Sequence, residues 1–158
     1  MDEKVRNKAT LLCDDGELDE LNELLAPFVD EGDPFALHLR AGFSLGDSFE
    51  SEEEYSKRYV LQMSGASEGG IAQASYRMGV NHLYGDAVQQ DYKLASMYFE
   101  RAISQGDSYT KFTYGFSLFY GNDENQKDEK KGLALMKEAA NEGIELAFKE
   151  LDLINAAK

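Results

Sequence analysis

Apolar positions along most of this chain recur every three to four residues, the spacing of an α-helix, with polar positions between them. The clearest stretch runs from Ile71 to Gly106. Ala95, Tyr98, Phe99, Ala102 and Ile103 fall on one stripe of a helix that Asp91 caps at its start and Gly106 closes at its end. A preceding helix is predicted from Ile71 to about Tyr84, stopped by Gly85, with a connection through Val88. Gly79 falls inside that first helix, where glycine is about 1 kcal/mol less favourable than alanine. Its presence there predicts a neighbouring helix packed too closely to admit a side chain.

The pattern repeats. Gly32, Gly69, Gly106 and Gly143 are spaced 37, 37 and 37 residues apart, and Gly42, Gly79 and Gly115 are spaced 37 and 36. Ala66, Ile103 and Ala140 each precede a terminal glycine by three residues, and Leu24, Leu61, Tyr98 and Leu135 precede one by eight. Glu31, Glu68, Gln105 and Glu142 stand immediately before it. One two-helix unit cannot bury its apolar face alone, so such units stack and share a continuous core.

The residues Met78-Gly79, His82, Gly85, Val88, Asp91, Ala95, Tyr98-Phe99, Ala102-Ile103 and Gln105-Gly106 resemble the Sel-one-like repeat, a relative of the tetratricopeptide repeat. The copy departs from the family pattern at His82 (tyrosine in the family), Ala87 (glycine) and Leu94 (lysine). The next copy keeps Tyr114-Gly115, Leu118, Gly121, Asp128, Lys131-Gly132, Leu135-Met136, Ala139-Ala140 and Glu142-Gly143. In the copy from Pro34 to Gly69, Arg58 replaces a small residue. The resemblance covers about residues 34–143 and implies an all-α fold, a right-handed α/α superhelix of about four helix pairs. The units are expected at 34–69, 70–106 and 107–143, after a degenerate unit at 1–33 with helices near 3–13 and 17–31, the latter kinked or ended by Pro27. A capping helix is expected over 144–158, with Ala147, Leu151 and Ile154 inward, so that 1–158 is a single solenoid.

The resemblance also implies a concave face lined by first helices and used to recognise proteins. Alignment on the glycines buries Ala41, Gly42 and Leu45, then Met78, Gly79 and His82, then Tyr114, Gly115 and Leu118. It turns Leu39, Phe43, Tyr76, Val80, Leu83, Tyr84, Tyr109, Phe112, Phe116, Phe119 and Tyr120 toward the groove. Tyr109 to Tyr120 alone holds six aromatics in twelve residues. These rings either bind a partner's helix or loop, or fill the core of a tightly curled solenoid.

Charge adds a second surface. Of a net −14, residues 1–54 carry −12, with 16 of the 30 acids and four of the 16 bases. Asp14, Asp15, Glu17, Asp19, Glu20 and Glu23, then Glu50, Glu52, Glu53 and Glu54, form two acidic runs. Such a field repels nucleic-acid phosphates and attracts basic proteins. The second run also suits a helix N-terminus.

Nothing in the sequence assembles chemistry. His38 and His82 stand alone at helical positions and read as core residues. Paired cysteines, a His-Glu-x-x-His motif and a phosphate loop are missing. Asn122 to Asn125 reads as a turn, and Cys13, the single cysteine, as packing. The expectation is therefore a non-catalytic protein-interaction module with no cofactor, metal, nucleic-acid or membrane partner, monomeric or homodimeric. The N-terminus offers no apolar signal segment, which points to the cytoplasm. Small stand-alone relatives include bacterial immunity proteins, so neutralisation of a basic toxin is the leading expectation. An adaptor or assembly factor is the alternative, and a hydrolase, suggested by a few relatives, is a distant third.

Overall fold

Aspartates start most of the helices. Asp33 accepts from the Phe35 and Ala36 amides, Asp91 from Lys93 and Leu94, Asp107 from Tyr109 and Asp128 from Lys131, each satisfying an otherwise orphaned first-turn donor. Ser51 and Glu54 close a reciprocal capping box. The computed structural model describes residues 1–45, 50–121 and 127–156. Among these, the helices are α1 (Glu3–Asp15), α2 (Leu18–Asp30), α3 (Pro34–Ala41), α4 (Glu52–Glu68), α5 (Ala72–Tyr84), α6 (Tyr92–Ser104), α7 (Ser108–Tyr120), α8 (Glu129–Asn141) and α9 (Glu145–Ala156). They form four helix pairs and a closing helix, an α/α solenoid.

The core is a succession of clusters, each shared by consecutive helices. Ala9, Leu21, Leu25, Ala36 and Phe43 join α1 to α3 and the turn after it. Ala41, Met63, Ala66, Ala74 and Met78 join α3 to α5. Ala95, Phe99, Tyr114 and Leu118 join α6 to α7, and Ala139, Ala140 and Ala147 join α8 to α9. On α9 the buried residues are Ala147 and Ile154, with Leu151 half-buried.

Two mid-helix glycines are where close approach demands them. A Cβ on Gly79 would lie 2.6 Å from the Phe99 ring, and one on Gly115 2.9 Å from the Gly132 carbonyl oxygen. Gly132 returns the contact, its own Cβ position falling 2.5 Å from the Gly115 carbonyl, so α7 and α8 meet backbone to backbone. Gly42 breaks this rule. It is exposed, it ends α3 rather than standing inside it, and nothing but the Leu39 carbonyl of its own helix lies near, at 3.4 Å.

The reason lies on α4. Arg58 stands eleven residues before Gly69, the register of Ala95 and Gly132 before Gly106 and Gly143. Its guanidinium donates to the carbonyls of Arg40 at 3.0 Å and Phe43 at 3.2 Å, and pairs with Glu50 at 2.7 and 2.9 Å. It thereby caps the Arg40 carbonyl at the C-terminal end of a helix only eight residues long and ties down the turn that follows.

Pro27 does not end α2, which runs on to Asp30. The proline is on the exposed side and its carbonyl still accepts the Glu31 amide, so the helical ladder resumes beyond it. His82 is half-buried rather than core, stacked on Tyr98 at 5.5 Å.

Candidate functional site

The first helices carry the candidate face. Tyr76, Val80, Leu83 and Tyr84 on α5 and Thr113, Phe116 and Ser117 on α7 wall a cavity of about 270 Å³, floored by Phe99 and Tyr114. The α5 residues recur at three- and four-residue steps, which puts them on one side of the helix. Around the cavity the rings touch in sequence. Tyr76 meets Phe99 at 6.0 Å and Tyr109 at 6.2 Å between centroids, Phe112 meets Phe116 at 6.1 Å, and Phe116 meets Tyr120 at 4.7 Å. These are tilted or edge-on geometries, as ring quadrupoles prefer. Burial, then the neighbouring Tyr109, pushes the Tyr76 hydroxyl above its usual pKa, so it stays protonated as a hydrogen-bond donor at neutral pH.

The expected groove residues divide. Tyr76, Val80, Tyr84 and Phe116 line the cavity, and Tyr84 is 72% exposed. Tyr109 and Tyr120 are exposed at 45% and 43% but stand outside it. Phe112 is half-buried beside Ala139, Ala140 and Ala147, on the side of α8 and α9. Tyr120 donates its hydroxyl to Glu150, and Phe119 lies where the α7 backbone crosses Gly132. Phe43 is buried in the N-terminal cluster with the Arg40 guanidinium 4.9 Å from its ring centre, and it lines a cavity at that end of the molecule. Its helix has already ended, so it does not follow the register of Val80.

Two further cavities extend the face toward the N-terminus. One of about 730 Å³ shares Tyr76 and Val80 with the first and adds Tyr55, Tyr59, Arg77 and Asn81. One of about 390 Å³ shares Tyr55, Tyr59 and Arg77 with the second and reaches His38, Leu39 and Cys13. Together they make one groove from α1 to α7. Sequence reasoning missed the α4 wall, Tyr55 and Tyr59, whose four-residue step is a helical signal on a second helix rather than a first.

The acidic runs also part. Asp14, Asp15, Glu17, Asp19, Glu20 and Glu23 are exposed at the end of α1 and on α2, without ion pairs among the described residues. The later run is engaged locally. Glu50 pairs with Arg58, Glu53 with Lys57 at 2.6 Å, and Glu54 closes the capping box. Glu52 lies on the rim of the 730 Å³ cavity. Hydrogen bonds from Arg58 to Glu50 and from the Ser51 amide to Glu54 hold both carboxyls below their ordinary pKa. The turn expected at Asn122 to Asn125 lies outside the described residues. Among the described residues no three His, Cys, Asp or Glu side chains cluster as a metal site, and no helix is long and apolar enough to cross a membrane.

The Sel1 repeat pattern matches residues 72–107 and 114–144, the α5–α6 and α7–α8 pairs. These two stretches carry Sel1 repeats. The chain is similar in fold to a Sel1 repeat protein from Oxalobacter formigenes, with 22% identity and a TM-score of 0.69 over 85% of this chain. It is similar also to a protective antigen present in uropathogenic Escherichia coli strains that displays an SLR fold, with 21% identity and a TM-score of 0.63 over 77% of this chain. The matches span 38% and 25% of those two longer chains. No curated protein matches the sequence. At these identities the likeness is one of fold, and the α3–α4 pair, where Arg58 replaces the small residue, lies outside both stretches matched by the Sel1 repeat pattern.

Proposed function

We propose that this chain is a non-catalytic protein-binding module whose groove takes a helix or loop of its partner. The observation that carries this reading is the cavity of about 270 Å³ between α5 and α7, an unfilled space walled by aromatic and aliphatic side chains. Aromatic rings around a preformed pocket desolvate large areas with few rotatable bonds, the property of interface anchors. The Sel1 repeats support an interaction role. The tagged chain and a Phe116→Glu variant, with equal melting by circular dichroism as the folding control, are compared in capture from native cell extract. Capture by the native chain and loss with the variant are expected. Equal capture by both removes the α5–α7 cavity as the binding surface.

The six carboxylates on α1 and α2 favour a second, finer reading, neutralisation of a basic toxin in the cytoplasm by an immunity protein. Exposed and without ion pairs among the described residues, they are available to a cationic partner. Capture at two salt concentrations separates this reading from an adaptor role, because exposed charge attraction is screened within about 10 Å at 0.1 M salt. A basic partner released by high salt supports immunity, and one that persists supports an adaptor held by the groove. Charge reversal belongs at Asp19, Glu20 and Glu23, since reversing Glu53 and Glu54 also breaks the local bonds of α4.

A further inference from the structure

Arg40 and Arg77 stand at the same place in successive units, each two residues before the glycine of its first helix. Arg40 is engaged: it donates to the Phe43 carbonyl at 3.0 Å and covers the Phe43 ring. Arg77 is exposed and makes no hydrogen bond, ion pair or ring contact among the described residues. It lines both of the cavities, of about 390 and 730 Å³, that form the N-terminal part of the groove.

The smaller cavity has no carboxylate among its lining residues, in a chain of net charge −14. His38 lines it beside Arg77, and the His38 Nδ1 is buried without a hydrogen-bond partner. In the next two units the position of His38 is bridged to the residue before the terminal glycine: Ser75 donates to Gln105 at 2.6 Å, and Lys111 donates to Glu142. The corresponding residue for His38 is Glu68, which is exposed and makes no such bond among the described residues. Adjacent first helices thus leave open a polar ring, His38 on α3, and a cation, Arg77 on α5, whose counterparts in neighbouring units are satisfied internally. Burial, and then the charge of Arg77, lower the His38 pKa, so the ring is neutral at pH 7.

Resting on the groove reading above, we propose that Arg77, with His38 beside it, receives an Asp or Glu side chain of the bound partner segment. A guanidinium offers a planar fork of donors that matches a carboxylate. The acceptor belongs to a side chain rather than to a chain end, because the groove continues on both sides of Arg77 and a bound segment passes across it. Glu52 and Asp86 rim the larger cavity, and their repulsion favours a singly charged anion over a phosphate.

The test selects random peptides of about four helical turns, displayed with their C-termini joined to the carrier so that only side-chain carboxylates are free. The bait is the full chain, and binders are kept when Phe116→Glu abolishes them. An Asp or Glu at a fixed place among apolar residues is expected. Changing that acid to its amide, or using Arg77→Met, weakens binding roughly tenfold or more, while Lys93→Met on the exposed face of α6 leaves it unchanged. The free side chain of Arg77 predicts unaltered melting for Arg77→Met, which serves as the folding control. Binders without an acid, or with an acid indifferent to Arg77→Met, overturn this inference and leave the groove reading standing. If no peptide binds in a Phe116-dependent way, both fall.

Discussion

Between α7 and α8 one backbone lies against the other, whereas between α3 and α4 a guanidinium stands in the gap. The two pairs have the same place in the repeat, and at the register where α8 carries Gly132, α4 carries Arg58. Where the residue is small, helices cross closely and are held by shape, with the first helix a full 13 residues long. Where it is arginine, the first helix stops after eight residues, and the carbonyls of Arg40 at its end and Phe43 in the turn after it accept from a side chain across the pair. Directional bonds have replaced packing at one interface of an otherwise continuous stack.

Four substitutions sharpen this comparison. The largest effect belongs to Gly132→Ala, whose methyl group meets the Gly115 carbonyl at 2.5 Å and the Phe119 amide at 2.6 Å. Backbone on both sides cannot yield cheaply, so a loss of about 3 kcal/mol is expected in urea unfolding. The matching change at the other pair, Gly42→Ala, meets only the Leu39 carbonyl at 3.4 Å, in a helical backbone conformation, and gains about 0.5 kcal/mol. Similar losses at both glycines remove the distinction. Next is Arg58→Ala, which removes the bonds that Arg58 donates to the Arg40 and Phe43 carbonyls and to the part-buried Glu50. A loss of about 2 kcal/mol is expected, with hydrogen exchange quickening in α3 before α7, and uniform exchange excludes the capping role. The last change is Ala87→Gly. Ala87 holds a left-handed φ of 58°, a conformation that glycine adopts without strain. A gain of about 1 kcal/mol is expected, read as a raised melting temperature, and no gain shows that the connection relaxes elsewhere.

Much of the fold was legible in residue spacing because close helix crossings demand glycine or alanine at fixed intervals, and aspartate caps announce helix starts. The same reasoning placed Gly42 inside a helix, since spacing counts residues and does not reveal that Arg58 has taken over the carbonyls at the helix end. Arg58 is visible as a departure from the pattern, but its bonds to Arg40, Phe43 and Glu50 depend on a turn whose path spacing does not determine. The groove was legible in part. Tyr76, Val80, Tyr84 and Phe116 follow from helical periodicity, whereas Phe43 follows the chain after its helix has ended and turns inward. Arg40 and Arg77 are indistinguishable by register, and only three-dimensional contacts separate the engaged guanidinium from the free one.

The chain of small apolar clusters, each joining consecutive helices, has a kinetic side. Contacts that close only short loops make low contact order, and such topologies collapse and zip quickly. They also lack the long-range ties that enforce a single all-or-none transition. Heat or denaturant is therefore expected to peel this molecule from one end to the other, with fluorescence from its tyrosine-rich half and helix content melting at different midpoints.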